Sequence, residues 1–330
     1  MKILYLYDVP EPTDPAVRVT GASFLREDRA ADASVFKCLR RLGHEVEAYP
    51  VYDDVIGIVD KIESFKPDVV FNGAESFRND RQQEPNVCGL LELLGVRYTG
   101  AGPESLMLCK DKALAKKLLT FHHIHVPHFR LSRRRYPIRS LKRFRYPAFI
   151  KPAGQDASEG VSTRSMVNSE TEALERVRHL HRELGCDVMI EEYINGRELY
   201  LSVLGNDKLT VWPYRELFFG KLPDEGPRFA SDKVKWDPDY RVKWDIANGP
   251  AGPLAPGVDE HLCDIATRVY KILKIRGFGR LDVRLTEDNQ VYVLEANPNP
   301  SLDQDEDFAQ AAYEGGMEYE QLVQSILDLA

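Results

Sequence analysis

"GFGRLDVRLTEDNQVYVLEANPNP", residues 277–300, is the stretch that decides the fold. Two apolar runs flank the polar residues 286–289, a composition typical of two antiparallel strands joined by a turn. Because side chains alternate along a strand, this hairpin has one apolar core face. The opposite face is predicted to carry Arg280, Asp282, Arg284, Val291, Val293, Glu295 and Asn297.

Three oxygen-bearing side chains lie beside one arginine on that predicted face. Asp282, Glu295 and Asn297 offer the hard oxygen ligands that Mg²⁺ prefers, and Arg280 suits the charge of a phosphoryl group. The pattern indicates a metal ion bound to a polyphosphate. The alternative is a solvent-exposed face with ordinary salt bridges, and the hairpin alone leaves that alternative open.

Composition limits the classes of protein to be considered. The chain has 330 residues, 43% hydrophobic content and a formal net charge of -8, which predicts a multidomain globular protein that does not bind nucleic acid. No apolar stretch is long enough to predict a membrane span or a signal peptide. The five scattered cysteines are typical of reduced thiols, so a cytoplasmic location is expected.

The order of predicted elements divides the chain into three parts. Residues 1–110 alternate strands with helices, which predicts a parallel, Rossmann-like sheet, although no G-x-G-x-x-G follows the first strand. Residues 111–205 predict an α+β module. Residues 206–330 carry the decisive hairpin and a long irregular stretch at about 218–256, which is expected to be a mobile loop.

Four segments together carry a resemblance to a known family. The hairpin, "FIKPAG" (149–154), "ASEGVS" (157–162) and "MIEEYINGREL" (189–199) resemble the ATP-grasp superfamily, and specifically its D-alanine–D-alanine ligase branch. The resemblance implies an ATP-grasp fold of α/β and α+β parts, with an N-terminal Rossmann-like domain. It implies an ATP-dependent ligase that joins a small carboxylate to an amine through an acyl-phosphate, with amino acids as expected substrates and a homodimer as the expected assembly.

The resemblance also implies roles around ATP and its metal ions. Asp282, Glu295 and Asn297 are expected to hold two Mg²⁺ ions, with Mn²⁺ as a substitute. Arg280 is expected to stabilise the transferring phosphoryl group. The residues expected to bind ATP are Lys112, Lys151 and Ser158 at the phosphates, Glu191, Glu192, Tyr193 and Ile194 around the adenine, and Glu198 at the ribose. For Lys112, a solvated helix lysine is the alternative.

"SDKVKW" (231–236) resembles the loop that closes over the reacting centre in this family. Lys235 is then expected to reach the phosphates, and Trp236 to pack on the substrate. Ser301 is expected to offer its backbone N–H to the oxyanion. A disordered surface loop is the alternative for 218–256, but its aromatic content argues against that.

The substrate positions depart from the family pattern. Glu27 is the candidate for the first substrate's ammonium, with Asp28 as the alternative, and Glu75 stands where the family has a histidine. The serine expected to bind the second substrate's carboxylate is replaced within "DQDEDF" (303–308), at about Asp305 and Glu306. These acids predict a cationic amine acceptor, or else they only favour the start of the following helix.

Three functions remain open at this point. The resemblance favours a carboxylate–amine ligase with altered substrate pockets. D-alanine–D-alanine ligase itself is the second candidate. The acidic run, which is Asp303, Asp305, Glu306 and Asp307, argues against it. The third is an ATP-binding regulatory protein without catalysis, against which the presence of both Arg280 and Lys235 argues.

Overall fold

The computed structural model of the chain describes residues 1–12, 29–154, 162–222 and 228–330. Two predicted site residues, Glu27 and Ser158, lie outside these ranges. Within them, no helix is both long enough and apolar enough to cross a lipid bilayer.

The strands, in chain order, are β1 (Lys2–Asp8), β2 (Glu45–Val51), β3 (Val69–Gly73), β4 (Phe129–Ser132), β5 (Ala148–Pro152), β6 (Met166–Val167), β7 (Val188–Glu192), β8 (Arg197–Leu204), β9 (Thr210–Val211), β10 (Arg215–Phe218), β11 (Ala247–Pro250), β12 (Phe278–Leu285) and β13 (Val291–Pro298). The α-helices are α1 (Ala30–Arg41), α2 (Val55–Phe65), α3 (Glu84–Leu93), α4 (Pro103–Lys110), α5 (Lys112–Phe121), α6 (Glu170–Glu183), α7 (Asp232–Trp236), α8 (Pro238–Trp244), α9 (Val258–Ile272), α10 (Asp307–Glu314) and α11 (Tyr319–Asp328).

The N-terminal sheet is parallel, with strand order β2-β1-β3, as the alternating pattern predicts. The run "KILYLYD" of β1 is almost wholly apolar because helices cover both faces of a parallel sheet. Gly43 follows α1 with a φ of 82°, a left-handed conformation that lets the chain turn back into β2. This arrangement directs the carboxyl ends of β1 and β3 toward the cleft described below.

Two antiparallel sheets follow. One has the order β4-β7-β5-β6, and the other has the order β11-β10-β8-β12-β13, with β9 beside β8. Strand β8 falls within the segment 111–205 of the sequence analysis, yet it pairs along its whole length with β12. The domain boundaries drawn from the sequence stay predictions.

The C-terminal helices pack on the N-terminal sheet. Tyr5 of β1 and Phe36 of α1 share one hydrophobic cluster with Phe308 of α10 and Leu322 of α11. The residues that precede α10 are therefore held near the ends of the first strands. The position of the acidic run depends on this long-range packing.

The stretch predicted to be irregular contains ordered elements. The Ser231 hydroxyl accepts a hydrogen bond from the Val234 N–H and caps α7, and the Asp237 carboxylate accepts one from Tyr240 and caps α8. Strand β11 then pairs with β10 in antiparallel register. Serine and aspartate at these positions, with Pro238 opening α8, are helix-start signals that could have predicted both helices.

Candidate active site

A cleft of about 1170 Å³ lies between the ends of β1 and β3, the start of α5, the hairpin and helix α7. Ten of the predicted site residues line it: Glu75, Lys112, Lys235, Trp236, Arg280, Glu295, Asn297, Ser301, Asp305 and Glu306. Folding therefore brings together residues that are more than 200 positions apart in the chain.

The hairpin contains a β-bulge that the sequence analysis missed. Asp282 pairs with Glu295, but the next residue, Val283, pairs with Val293, so Leu294 is an extra residue in β13. The prediction that Val293 shares the face of Glu295 is wrong, because the bulge reverses the alternation at this point. Val291 is likewise buried in the core, and Arg284 lies opposite Tyr292.

Beyond the bulge the predicted face is assembled as expected. Arg280 pairs with Asn297 in the strand register, and Asp282 pairs with Glu295, so the four side chains lie on one face. The Arg280 guanidinium donates two hydrogen bonds to the Asp282 carboxylate, at 2.8 and 3.0 Å. It also lies 4.8 Å from the ring centroid of Tyr200. These contacts hold Arg280 at the wall of the cleft.

Four cations surround Glu295. Burial acts to raise the pKa of Glu295, but Lys112, Lys235, Lys151 and Arg280 outweigh it and hold the pKa well below its usual range. Burial raises the pKa of the neighbouring Asp282, and Glu295 adds to that rise while Arg280 opposes it. So many cations around two carboxylates suit an additional anionic ligand.

The residues present fit a divalent metal ion. Asp282, Glu295 and Asn297 supply carboxylate and amide oxygens, the ligands that Mg²⁺ prefers. The amide nitrogen of Asn297 is buried, and it has no hydrogen-bond partner within the ranges that the structure describes. This N–H donor cannot bind a cation, but it could donate to an anionic oxygen, and the amide oxygen of Asn297 is the atom that could bind the metal ion.

A buried ion-pair triad lies behind the hairpin. Glu191 of β7 pairs with Lys151 of β5 at 2.9 Å and with Lys116 of α5 at 3.0 Å. The Lys116 ammonium also donates to the backbone oxygen of Leu294, the bulge residue, at 2.7 Å. Burial lowers the pKa of Lys116, although Glu191 opposes the change. Lys116 thus joins β7, and through Glu191 also β5, to β13, the strand that carries Glu295.

Lys116 is not among the predicted site residues, although the spacing of residues in α5 could have indicated its burial. Lys112 and Lys116 are four residues apart and share one helix face with the buried Leu119. Lys112 is 8% exposed and Lys116 is 2% exposed, so the alternative of a solvated lysine face is wrong for both. The Asp111 side chain caps α5 by accepting from the Leu114 N–H at 2.9 Å, which places Lys112 at the first helical position.

The predicted adenine residues are held by neighbouring loops. The Glu192 carboxylate accepts from the His128 N–H at 2.8 Å, and the Tyr193 hydroxyl donates to the backbone oxygen of Arg228 at 3.0 Å. Ile194 follows, partly buried. Their roles toward a nucleotide stay predictions.

Glu198, predicted to bind ribose, is buried in a separate ion pair. Arg284 donates to its carboxylate at 2.6 Å, and the Tyr200 hydroxyl donates to the other oxygen at 3.2 Å. Arg284 additionally donates to the backbone oxygen of Gly196 at 2.8 Å. The carboxylate is therefore engaged within the protein, and its predicted contact with ribose stays a prediction.

The acidic run is divided in two by its surroundings. Asp305 and Glu306 are exposed at the cleft, whereas Asp307 is buried. Glu306 occupies the position before α10 without making a side-chain cap. Although its side chain is exposed, partial loss of water inside the cleft raises the pKa of Glu306, and the charge of Asp307 adds to that rise. The Ser301 hydroxyl accepts from the Asp303 N–H at 3.3 Å, which shapes the turn leading into the run.

Glu75 lines the same cleft, just after the carboxyl end of β3. Its backbone N–H donates to the Asp8 carboxylate at 3.3 Å, and its own carboxylate pairs with Arg81 at 2.8 Å. Asp8 also accepts from the Ser76 hydroxyl at 2.6 Å. These groups lie at the carboxyl ends of β1 and β3, where parallel sheets commonly bind ligands.

Helix α7 carries the two residues predicted to close over the site. Lys235 lines the cleft and lies near enough to Glu295 to lower its pKa. Trp236 also lines the cleft and is 60% exposed, and its contact with a substrate stays a prediction.

Comparisons with known proteins agree with this fold. Residues 113–328 match the family model described as D-ala D-ala ligase C-terminus. The uncharacterized protein y4sG of Sinorhizobium fredii is 28% identical over 312 residues, 92% of this chain and 88% of that protein. The D-alanine–D-alanine ligase of Thermotoga sp. (strain RQ2) is 30% identical over 297 residues, 90% of each.

A solved structure shares the fold. The crystal structure of the D-alanine–D-alanine ligase from Bacillus anthracis complexed with ATP has a TM-score of 0.73 to this chain at 20% identity, over 100% of this chain and 97% of that one. The fold class predicted from the sequence is confirmed.

Proposed function

The chain belongs to the family of D-alanine–D-alanine ligases, and on that premise we propose that this ATP-dependent ligase joins a small carboxylate to a small amine. The observation that carries the proposal is that Lys112, Lys235 and Arg280 line one cleft together with Glu295. Cations gathered on a carboxylate face suit the phosphates of ATP together with a divalent ion. Amino acids are the expected substrates, as the names of the relatives indicate.

The chemistry proceeds through two displacements. A carboxylate oxygen of the first substrate attacks the terminal phosphorus of ATP, and ADP leaves. The amine of the second substrate then attacks the acyl carbon, the bond to phosphate breaks, and the amine nitrogen loses a proton. Phosphorylation is needed because a carboxylate alone has no adequate leaving group.

The residues of this chain have distinct roles in that sequence. Arg280, held by Asp282, lies where it would stabilise the charge of the transferring phosphoryl group. Lys112, Lys151 and Lys235 would bind the phosphates. The backbone N–H of Ser301 would donate to the oxyanion, and Trp236 would pack on the substrates and exclude water.

Asp282, Glu295 and Asn297 would hold Mg²⁺, in the family's expected number of two ions, with Mn²⁺ as a substitute. A bound divalent ion supplies charge neutralisation of the phosphates. Ser158, Glu191, Glu192, Tyr193, Ile194 and Glu198 remain the proposed surroundings of the nucleotide. Glu27 and Glu75 remain proposed for the first substrate.

The acceptor end favours a cationic amine over an amino acid carboxylate. Asp305 and Glu306 line the cleft beside Ser301 and carry negative charge where a free carboxylate would be repelled. D-Alanine as the acceptor is the second candidate, since relatives of this chain are D-alanine–D-alanine ligases.

A paired-substrate screen tests the function. Purified protein with ATP and Mg²⁺ is incubated with pairs of amino acids and amines, and ADP and phosphate are measured together. We expect release only with a carboxylate and an amine present, in equal amounts of ADP and phosphate. Binding of ATP without release for any pair would overturn the ligase proposal and favour an ATP-binding regulatory protein.

A further inference from the structure

A chain of hydrogen bonds connects the acidic run to the helix that carries Lys235. The Asn248 amide nitrogen donates to the Asp307 carboxylate at 2.6 Å. The Arg241 guanidinium donates to the Asn248 amide oxygen at 3.0 Å and to the backbone oxygen of Val234 at 2.7 Å. Val234 is the residue immediately before Lys235 in α7. Four segments that are separate in the chain are joined by this relay.

The far end of this relay is anchored in the body of the protein. Asp307 is 5% exposed and accepts from the buried Arg215 at 3.3 Å. Arg215, in β10, also pairs with Glu314 at the end of α10. Phe308, the next residue, is buried against Trp212 and Phe278. Asp307 therefore has a fixed position from which it can orient Asn248.

The near end of the relay is helix α7. Helix α7 spans only five residues, too short to be stable without neighbours. Val234 packs in a small cluster with Leu217 and Ile246, but Lys233 and Trp236 are exposed. The bond from Arg241 to the Val234 carbonyl is a polar contact that fixes the carboxyl end of α7 and the direction of Lys235.

We propose that Asp307, Asn248 and Arg241 are positioning residues that set where Lys235 lies over the cleft. The last acid of the run then serves the helix above the site, and it is not a ligand of the amine substrate. The consequence for catalysis rests on the proposed function, because it requires Lys235 to act on the phosphates. The structural consequence for α7 does not require that function.

Exchange of two side chains tests the relay. Asn248→Asp alone places two carboxylates next to each other, and their repulsion should break the connection to α7. The double variant Asn248→Asp/Asp307→Asn restores every bond. The aspartate at position 248 accepts from Arg241, and the asparagine at position 307 donates to that aspartate. The new asparagine can also accept from Arg215. Asp305→Asn, which removes a neighbouring exposed carboxylate, is the matched control.

Trypsin cleavage at Lys233, Lys235 and Arg241 gives a readout that is independent of activity. We expect cleavage at least about tenfold faster in Asn248→Asp than in wild type, and near-wild-type rates in the exchanged pair and in Asp305→Asn. If Asn248→Asp does not fold, a stable exchanged pair with wild-type cleavage still supports the relay. Cleavage of Asn248→Asp at the wild-type rate, or no recovery in the exchanged pair, would overturn it.

Turnover gives the second readout. Displacing a catalytic group by about 1 Å can cost about 100-fold in rate, so Asn248→Asp should lower kcat by roughly that factor and the exchanged pair should recover it. In a Lys235→Met background, Asn248→Asp should cause no further loss; an equal loss there would overturn the positioning role. If neither the wild type nor any variant releases ADP, the proposed function is wrong. The relay is still supported in that case if the trypsin cleavage rates follow the expectation.

Discussion

The two ends of the cleft carry opposite surpluses of charge and are built differently. At the end proposed for the nucleotide, Glu295 of β13 is surrounded by Lys112 of α5, Lys151 of β5 and Lys235 of α7. At the acceptor end, Asp305 and Glu306 lie on a turn, and the one buried acid beside them is Asp307. The comparison supports the proposal that an anionic phosphate binds at one end and an ammonium at the other.

The supports of the two ends also differ. Glu191 is held by two lysines inside the protein, in a triad that includes the bulge of β13. Asp307 is held by Arg215 on one side and by an amide relay on the other. The first arrangement joins strands of two sheets. The second joins the core to the short helix α7.

The largest expected effect is at the metal ligand. Glu295→Gln removes a charge from the face that binds the divalent ion, so turnover should fall by about 1,000-fold even at saturating Mg²⁺. Glu287→Gln, an exposed residue of the hairpin turn, is the control and should retain wild-type turnover. Circular dichroism should show both variants folded. Turnover of Glu295→Gln close to that of its control would contradict the metal assignment.

The next effect is on stability and concerns the triad. Lys116→Met leaves Glu191 with one of its two partners and leaves the Leu294 carbonyl without its donor. We expect the free energy of unfolding in urea to fall by about 3 kcal/mol. Lys117→Met changes the adjacent, exposed lysine and should cost less than about 0.5 kcal/mol. Equal stabilities of the two variants would mean that the triad does not support the fold.

The smallest expected effect is on acceptor choice. At an effective dielectric constant of 20, two unit charges about 4 Å apart interact by about 4 kcal/mol, but exposure and salt reduce such a term to about 1 kcal/mol. Glu306→Ser should therefore shift the ratio of kcat/KM values, diamine over D-alanine, about fivefold toward D-alanine. Asp307 is left unchanged because it belongs to the relay.

Two outcomes would contradict the proposal that Asp305 and Glu306 favour a cationic amine. One is a wild-type enzyme that already uses D-alanine as efficiently as any cationic amine. The other is a Glu306→Ser variant with the wild-type ratio. Either result would favour D-alanine–D-alanine ligase activity. Neither would affect the proposal that the cations around Glu295 bind the phosphates.

The sequence by itself determined the type of almost every element in the hairpin, the N-terminal sheet and the long helices, because these have strong apolar periodicity. It also determined which residue types the site contains, since Arg280, Asp282, Glu295 and Asn297 are close in sequence and on strands. Strong local patterns can be recognised without knowledge of the neighbours.

Only the tertiary structure decided which partners these residues meet. The bulge at Leu294 cannot be recognised from alternation, because one extra residue reverses the faces without changing the composition. Lys116 looks like a surface lysine until α5 packs against β13, and Asp307 cannot be told from its acidic neighbours Asp305 and Glu306 until Asn248 and Arg215 contact it. Burial and ion pairing arise from contacts between distant segments, and those contacts exist only once the chain is folded.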